Sequence, residues 1–433
     1  MTSTNRTSIN IQLNKSNSKE RMLTLFCTVM LFFIVFSIHL NSFPSSLTPR
    51  ILTMAVACIV SLYINRKVFS NLLNCTICMN EFLLLCFFVF QLFYTWMIIE
   101  ANNVGENAST DLSATFNFFI SVLIIPKVIN CFFSSTEYFC KCLVYATMIQ
   151  SLIVILSFVF PSVRVWLESI QSFTFERYSW RIVGLGIAGA GGSVYLCCGL
   201  IANTYILKFA KSRIIFFVSY FINLFSIMLV GRTGFYVAIV LLAYLIVYNS
   251  SNIVQRFKTN LKMFGVCIAF IVIVIASLYY VKDINLSLFQ YTTARLFEIS
   301  KEDNTLKTLI DEIKTVPPIS LQTLVGTGIV RGTTSTGLYF WHDSGYIKRY
   351  ASIGLIFAII SYIAFIIYIK LMIKNVEKKK KNFIWLCILL LYIIEFKEPF
   401  MFMLAYPFTM VMMGKLISKE NDNNAYSRLI QSG

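Results

Sequence analysis

The residues best suited to chemistry in this 433-residue chain lie in or beside one polar interval, from Lys282 to Gly345, between two apolar stretches. His342 and Asp343 stand at the end of this interval, directly before an apolar run. A neutral imidazole or a carboxylate there can act as general base toward a hydroxyl group. The alternatives are a histidine of the headgroup region and an aspartate that caps the next helix. The sequence therefore offers two candidate catalytic residues and leaves the choice between them open.

Arginines form the second candidate group, because a guanidinium can bind phosphate through two parallel hydrogen bonds. Arg232 stands between two glycines at a predicted helix mouth, whereas Arg295 and Arg331 lie in the polar interval. Tyr346 and Arg349 continue the helical face that starts at His342 and complete the candidate set. The alternatives are contact with lipid headgroups for Arg232 and a solvated surface position for Arg295 and Arg331.

Two glycine-rich segments have different interpretations. Gly326-Thr327-Gly328 predicts a turn late in the polar interval, and both of its glycines join the candidate binding residues. Gly184 to Gly192 lies in an apolar stretch with no strand before it, so close helix packing is favoured over a nucleotide loop. The polar interval has no P-loop, Cys/His cluster or acidic triplet, and the sequence therefore predicts neither a cofactor nor a metal site.

The elements that must position these residues are apolar helices. The chain is 57% hydrophobic and 13% charged, which predicts an all-α polytopic membrane protein rather than a soluble domain. Its net charge of +17 is explained by lysines and arginines gathered in loops on one face of a bilayer, so nucleic acid is not an expected partner.

Apolar runs of spanning length predict about twelve transmembrane helices. They lie at about 22–40, 51–65, 81–99, 114–133, 142–160, 182–206, 213–230, 233–248, 262–280, 346–372, 383–397 and 400–417. The predicted organisation is a polar cytoplasmic N-terminus at 1–21, helices one to nine within 22–280, a large loop at 281–345, helices ten to twelve within 346–417, and a cytoplasmic tail at 418–433. Helices seven and eight, and eleven and twelve, can also form re-entrant hairpins.

The charge distribution predicts the orientation. With both termini in the cytoplasm, the inner loops hold Arg66-Lys67 and the run Lys378 to Lys381, while an outer loop holds Glu100 and Glu106. This asymmetry follows the positive-inside rule and makes the large loop extracytoplasmic. Apolar residues at helical spacing between 306 and 316 predict an amphipathic helix in that loop, on the outer membrane surface or over the bundle.

The pattern resembles the bacterial repeat-unit polymerases of O-antigen and capsule assembly, the Wzy family, which is related to the O-antigen ligases. The resemblance covers the topology of nearly the whole chain. In residues it rests on Gly231-Arg232-Thr233-Gly234, Thr293-Ala294-Arg295, Gly326-Thr327-Gly328 and the stretch from His342 to Gly354. In the ligase branch the histidine is typically followed by Asn, Ser or Gln. Asp343 and the late position of Gly354 depart from the ligase pattern and favour a polymerase.

The resemblance implies a metal-independent glycosyltransferase in the bacterial cytoplasmic (inner) membrane, with its active site facing the periplasm or outside. It would transfer a growing glycan from undecaprenyl pyrophosphate to another lipid-linked repeat unit, in lipopolysaccharide or capsule biosynthesis. Expected partners are membrane lipid and the flippase and chain-length regulator of the same pathway. The candidate arginines, with Gly326, Gly328 and Tyr346, would then bind pyrophosphate or glycan. The alternatives are a non-enzymatic lipid-linked oligosaccharide flippase or polysaccharide exporter, and an O-antigen ligase.

Overall fold

The computed structural model describes most of the chain and is mostly helical. It describes residues 4–36, 49–64, 79–102, 109–110, 112–171, 182–210, 214–247, 316–333, 339–340 and 342–432, with positions 38, 41, 272, 276, 279–283, 290, 310–311 and 314. Arg295, His39 and most of the predicted ninth span lie outside the described residues. In the predicted amphipathic helix, Ile310, Asp311 and Lys314 are helical and exposed. Its other predicted apolar positions before Val316 lie outside the residues that the structure describes.

The helices in chain order are α1 (Thr4–Val35), α2 (Pro49–Ile64), α3 (Met79–Ala101), α4 (Leu112–Phe132, with a π segment at Ile120–Ile124), α5 (Thr136–Val159), α6 (Pro161–Ile170), α7 (Gly189–Phe209), α8 (Ile214–Val230), α9 (Arg232–Val247), α10 (Leu321–Val325), α11 (Gly345–Met372), α12 (Lys378–Ile394) and α13 (Ala405–Ser432). A 3₁₀ turn at Phe400–Phe402 precedes α13. Both polar terminal segments are helical, because α1 begins at Thr4 and α13 continues to Ser432.

Five of the described helices are long and apolar enough to cross a membrane, namely α3, α4, α5, α7 and α11. Shorter apolar helices lie at Ile51–Val60, Ile214–Val230 and Arg232–Val247. These helices agree with the expected all-α membrane protein. The number of twelve spans and their orientation stay predictions.

Among the described residues, five short strands add two small sheets that the sequence did not predict. β1 (Ser109–Thr110), β4 (Ile329–Thr333) and β5 (Tyr339–Phe340) form an antiparallel sheet in the order β1-β4-β5. β2 (Val183–Gly184) pairs with β3 (Ile187–Ala188) in a hairpin. The glycine-rich segment from Gly184 therefore begins as a hairpin, and the predicted helix starts only at Gly189.

Contacts between helix ends define two ends of the bundle. At one end, the first turn of α3 meets the last part of α4 and the middle of α13 through an ion cluster at Glu81. At the other end, the start of α11 meets the residue after α12, where the Gly345 amide donates to the Glu395 carbonyl over 2.9 Å. We call the first the lysine end and the second the arginine end.

The helices α5, α7 and α8 pack closely through small and polar residues. Gly199 of α7 lies against the Thr147 side chain of α5, where a Cβ atom would overlap it. Asn223 of α8 accepts from the Ser151 hydroxyl at 2.6 Å and donates to Thr147 Oγ1 at 3.3 Å. Small residues allow such close approach, and hydrogen bonds between helices then hold it in an apolar setting.

Candidate functional site

Arg349 is the centre of the candidate site. It lies in the second turn of α11 and is only 1% exposed. Its Nη1 donates to Thr115 Oγ1 of α4 at 2.8 Å, and its guanidinium lies 3.2 Å from the centroid of the Phe402 ring. Thr115 Oγ1 also accepts from Gln91 Nε2 of α3 at 3.4 Å. A buried cation is costly unless it is hydrogen-bonded and matched by negative charge, so its surroundings must supply both.

Glu395 is the buried carboxyl group of the site. It follows α12 directly and is fully buried. Its Oε1 accepts from the Tyr362 hydroxyl at 2.8 Å, and its Oε2 accepts from the Met401 amide at 2.7 Å. Phe402, whose ring contacts the Arg349 guanidinium, follows Met401 directly, so both buried groups belong to one network of hydrogen bonds and ring contacts. We call this network the Arg349–Glu395 cluster. The sequence analysis missed Glu395, although an acidic residue inside the apolar run 383–397 is a signal that could have revealed it.

Gly345 explains how α11 approaches this carboxylate so closely. A Cβ atom at this position would lie 2.6 Å from the Glu395 carboxyl carbon and 2.7 Å from the Pro399 Cα. Real Cβ atoms do not approach other heavy atoms that closely, so only glycine fits here. The first residue of α11 is thus fixed by the need to place its backbone against Glu395.

A layer of aromatic rings surrounds the cluster. The Tyr346 hydroxyl donates to the Tyr392 carbonyl at 2.8 Å, and the Tyr392 hydroxyl donates to the Tyr362 carbonyl at 2.6 Å. The Tyr346 ring centroid lies 4.9 Å from that of Tyr362 and 4.8 Å from that of Phe396. These rings reduce the access of water, which strengthens the electrostatic interactions inside.

An apolar cavity lies against the outer side of this aromatic layer. Its volume is about 430 Å³, and it lies between α11 and the 316–319 segment of the chain. Tyr346 and Tyr362 form part of its wall, and Pro317 and Pro318 form part of the opposite side. Tyr362 thus contacts both Glu395 and the cavity, and the Tyr346 ring packs on Tyr362.

The predicted turn at Gly326 packs onto a break in α11. Gly354, at φ +81°, interrupts the helix. The Thr327 amide donates to the Ala351 carbonyl at 2.9 Å, and the Gly328 amide donates to the Ser352 carbonyl at 2.8 Å. The turn therefore satisfies carbonyl groups beside the break.

Close packing explains why the turn has glycines. Gly326 has φ +105°, and a Cβ atom there would lie 2.6 Å from the Gly354 nitrogen. Gly328 has φ +77°, and its Cβ would lie 2.8 Å from Ile99 Cγ1. Positive φ and short contacts both favour glycine. These glycines position the loop on α11, and substrate binding by them stays a prediction.

The two predicted catalytic residues precede α11 in different settings. His342 is buried at 7% exposure, whereas Asp343 is exposed and its Oδ2 lies 3.7 Å from Lys397 Nζ. Ser344 occupies the N-cap position, but its side chain forms no capping hydrogen bond to the described residues. The N-cap position therefore falls on Ser344 and not on Asp343, for which a capping role was the alternative.

The other candidate arginines have separate positions. Arg232 is the first residue of α9 and is half-buried. Its neighbour Gly234 donates its amide to Ser193 Oγ of α7 at 3.0 Å. Two residues earlier in α7, a Cβ on Gly191 would lie 3.9 Å from Met403 Sδ, next to Phe402. The start of α9, which includes Arg232, therefore lies beside the start of α7 at the arginine end. Arg331 lies in β4 with its backbone opposite Ser109. Arg295 lies outside the residues that the structure describes.

The comparisons with known proteins give no match. No protein-family model, no curated protein and no solved structure matches this chain.

Proposed function

We propose that this chain is a membrane glycosyltransferase of the repeat-unit polymerase type. It moves a growing glycan from a polyprenyl pyrophosphate to a second lipid-linked repeat unit, at the outer face of a bacterial cytoplasmic membrane. The observation that carries the proposal is the Arg349–Glu395 cluster at one end of an apolar helical bundle. Ionisable residues buried among membrane helices are costly, and they mark functional sites more often than not.

The chemistry requires positive charge where the pyrophosphate leaves. The bond between the anomeric carbon of the donor sugar and the pyrophosphate oxygen breaks, and the lipid pyrophosphate leaves with the bonding electrons. Arg232 is the arginine placed to meet it, because it is half-buried and stands at the N-terminus of the 16-residue helix α9. Both its guanidinium and the positive end of the helix favour an anion.

The acceptor requires a base. A new bond forms between the anomeric carbon and the acceptor's hydroxyl oxygen, and the hydroxyl proton passes to a base. Asp343 is exposed and His342 is buried, so Asp343 is the more accessible of the two to a sugar hydroxyl. In this proposal the cluster of Arg349 and Glu395 positions the start of α11, on which both residues depend.

The apolar cavity supports a substrate with a long hydrocarbon chain. Its lining includes Pro317, Ile347, Leu355 and Ile359, and it lies beside the aromatic layer of the site. A polyprenyl chain gains free energy by contact with such a surface, at about 25 cal/mol per Å² of apolar area removed from water. The cavity lies at the arginine end, to which the start of α9 with Arg232 also belongs.

The orientation is supported by the charge of the two ends. Lys374, the run Lys378 to Lys381, Lys415 and Lys419 all belong to the lysine end. Because positive residues concentrate on the cytoplasmic side, the lysine end is assigned to the cytoplasm and the arginine end to the outside.

The test is the surface glycan of a bacterium that carries Arg232→Ala in place of the native gene. Arg232→Ala should abolish long polymer at normal protein level, leaving single repeat units on the surface. The matched control is Arg164→Ala, which removes an arginine of α6 whose Nε donates to Glu168 Oε1 at 3.0 Å. This control should give normal polymer lengths.

The deletion strain separates the alternatives. Single repeat units on the surface support a polymerase, absence of all glycan supports a flippase, and polymer retained on the lipid carrier supports a ligase. Normal polymer in the Arg232→Ala strain would remove this residue from the site and with it the assigned role of the α9 mouth.

A further inference from the structure

The lysine end contains a cavity that the proposed reaction does not use. Its volume is about 630 Å³, and residues of α3, α4, α11 and α13 line it. Among the residues that the structure describes, the charged members of its lining are Lys127, Lys415, Lys419, Glu81 and Asp422. Three positive and two negative charges leave a net charge of +1, so the cavity favours an anion over a neutral molecule.

Glu81 holds two of these lysines side by side. Its Oε1 accepts from Lys415 Nζ at 2.6 Å, and its Oε2 lies 3.6 Å from Lys127 Nζ. Two ammonium groups would otherwise repel each other, and the carboxylate between them fixes their positions. Lys419 lies one turn after Lys415 on α13 and is exposed at the same cavity. Lysines from two helices thus face one polar space.

Asn130 adds a hydrogen-bond acceptor to the lining. Its Oδ1 is buried and has no hydrogen-bond partner among the described residues. A buried acceptor without a donor is unfavourable. An occupant that brings a hydroxyl or ammonium donor would remove this cost.

An apolar groove continues from the cavity along the bundle. A second cavity of about 220 Å³ shares Glu81 and Lys127 with the first. The rest of its lining is apolar and includes Leu85, Leu123 and Phe119. Leu85 follows Glu81 by one turn of α3, while Leu123 and Phe119 precede Lys127 by one and two turns of α4. Both helices therefore lead the groove away from the lysine end, toward the middle of the bundle.

We propose that the two cavities together bind one anionic glycerophospholipid of the leaflet at the lysine end. Its phosphate lies among Lys127, Lys415 and Lys419, a headgroup hydroxyl donates to Asn130 Oδ1, and one acyl chain follows the groove. Phosphatidylglycerol has both the charge and the hydroxyl groups that this arrangement requires. The site is independent of glycosyl transfer, and its occupant connects α4 with α13 at the end opposite the arginines.

The test uses the purified full-length protein in detergent, stripped of lipid. Phosphatidylglycerol, phosphatidylcholine or inorganic phosphate is added, while the melting temperature and the bound lipid, by native mass spectrometry, are measured. Phosphatidylglycerol should raise the melting temperature and give a one-to-one complex. An equal response to phosphatidylcholine would overturn the assigned charge selectivity, and an equal response to inorganic phosphate would overturn the assignment to a lipid.

Two variants and one control locate the site. Lys419→Ala leaves both Glu81 contacts intact and should weaken phosphatidylglycerol binding about fivefold. Ile124→Trp changes a groove residue that is 39% exposed and should block the acyl chain, so lipid binding should fall. Lys379→Ala, an exposed lysine of the same end that does not line the cavity, should bind like the unchanged protein. Equal binding by Lys419→Ala and the control would contradict the proposal.

Discussion

The arginine end and the lysine end both hold charged side chains within an apolar helical bundle, but they differ in how far these side chains are withdrawn from water. At the arginine end, Arg349 and Glu395 are 1% and 0% exposed, and aromatic rings surround them. At the lysine end, the side chains of Glu81 and Lys127 are 19% and 32% exposed in an open polar cavity. Charges withdrawn from water depend on each other strongly, whereas charges that remain partly hydrated depend on each other weakly. The arginine end therefore holds its charged groups in a fixed geometry, whereas the lysine end leaves its charged groups accessible to solvent or to a ligand.

The largest effect should follow from Glu395→Ala. This change removes the acceptor of the Tyr362 hydroxyl and of the Met401 amide and leaves both donors buried. Each buried donor without an acceptor costs about 1–3 kcal/mol of folding free energy. We expect a strongly lowered melting temperature in detergent and reduced protein in the membrane.

Glu395→Gln is the control, because it keeps the shape and an oxygen acceptor for the Tyr362 hydroxyl while removing the charge. Its melting temperature should fall between those of the native protein and Glu395→Ala. A melting temperature unchanged in both variants would show that the two hydrogen bonds to Glu395 do not stabilise the cluster.

A smaller loss should follow from Gly345→Ala. The added methyl group would lie 2.6 Å from the Glu395 carboxyl carbon, so α11 must move away from it. Overpacking of this kind costs about 1–3 kcal/mol. The matched control is Gly191→Ala at the same end, where the nearest atom, Met403 Sδ, would lie at an ordinary contact distance of 3.9 Å.

The melting temperatures of the two alanine variants measure this difference. Gly345→Ala should melt well below the native protein, and Gly191→Ala should melt close to it. If both variants melt at the native temperature, the close approach of α11 to Glu395 is not required for stability.

The sequence predicted the helices better than the contacts between them. The apolar run 346–372 predicted α11 to within one residue at its start, and the helical face from His342 selected Arg349 as a candidate. Length and apolar composition are local properties, so a single sequence reveals them. Glu395 was missed because its role arises only when the residue after α12 packs against the start of α11.

The small sheets were missed for a related reason. β1 has two residues, too few to show the alternation that predicts a strand, and it pairs with β4 from a distant part of the chain. The hairpin of β2 and β3 stands at the start of an apolar run, where Gly184 and Gly186 were assigned to a helix. Gly186 has φ +73°, a turn conformation that its sequence context does not indicate.

The smallest effect should follow from Glu81→Gln at the lysine end. Lys127 and Lys415 lose the carboxylate between them, but both remain beside an open cavity and can extend toward water. Ion pairs that border water contribute less than groups fully withdrawn from it, so the melting temperature should fall less than in Glu395→Ala at about 0.15 M salt. Lower salt should enlarge the loss, because repulsion between the two ammonium groups is then screened less. A loss as large as that of Glu395→Ala, unaffected by salt, would mean that the lysine end is withdrawn from water like the arginine end, and the contrast between fixed and accessible charge would fail.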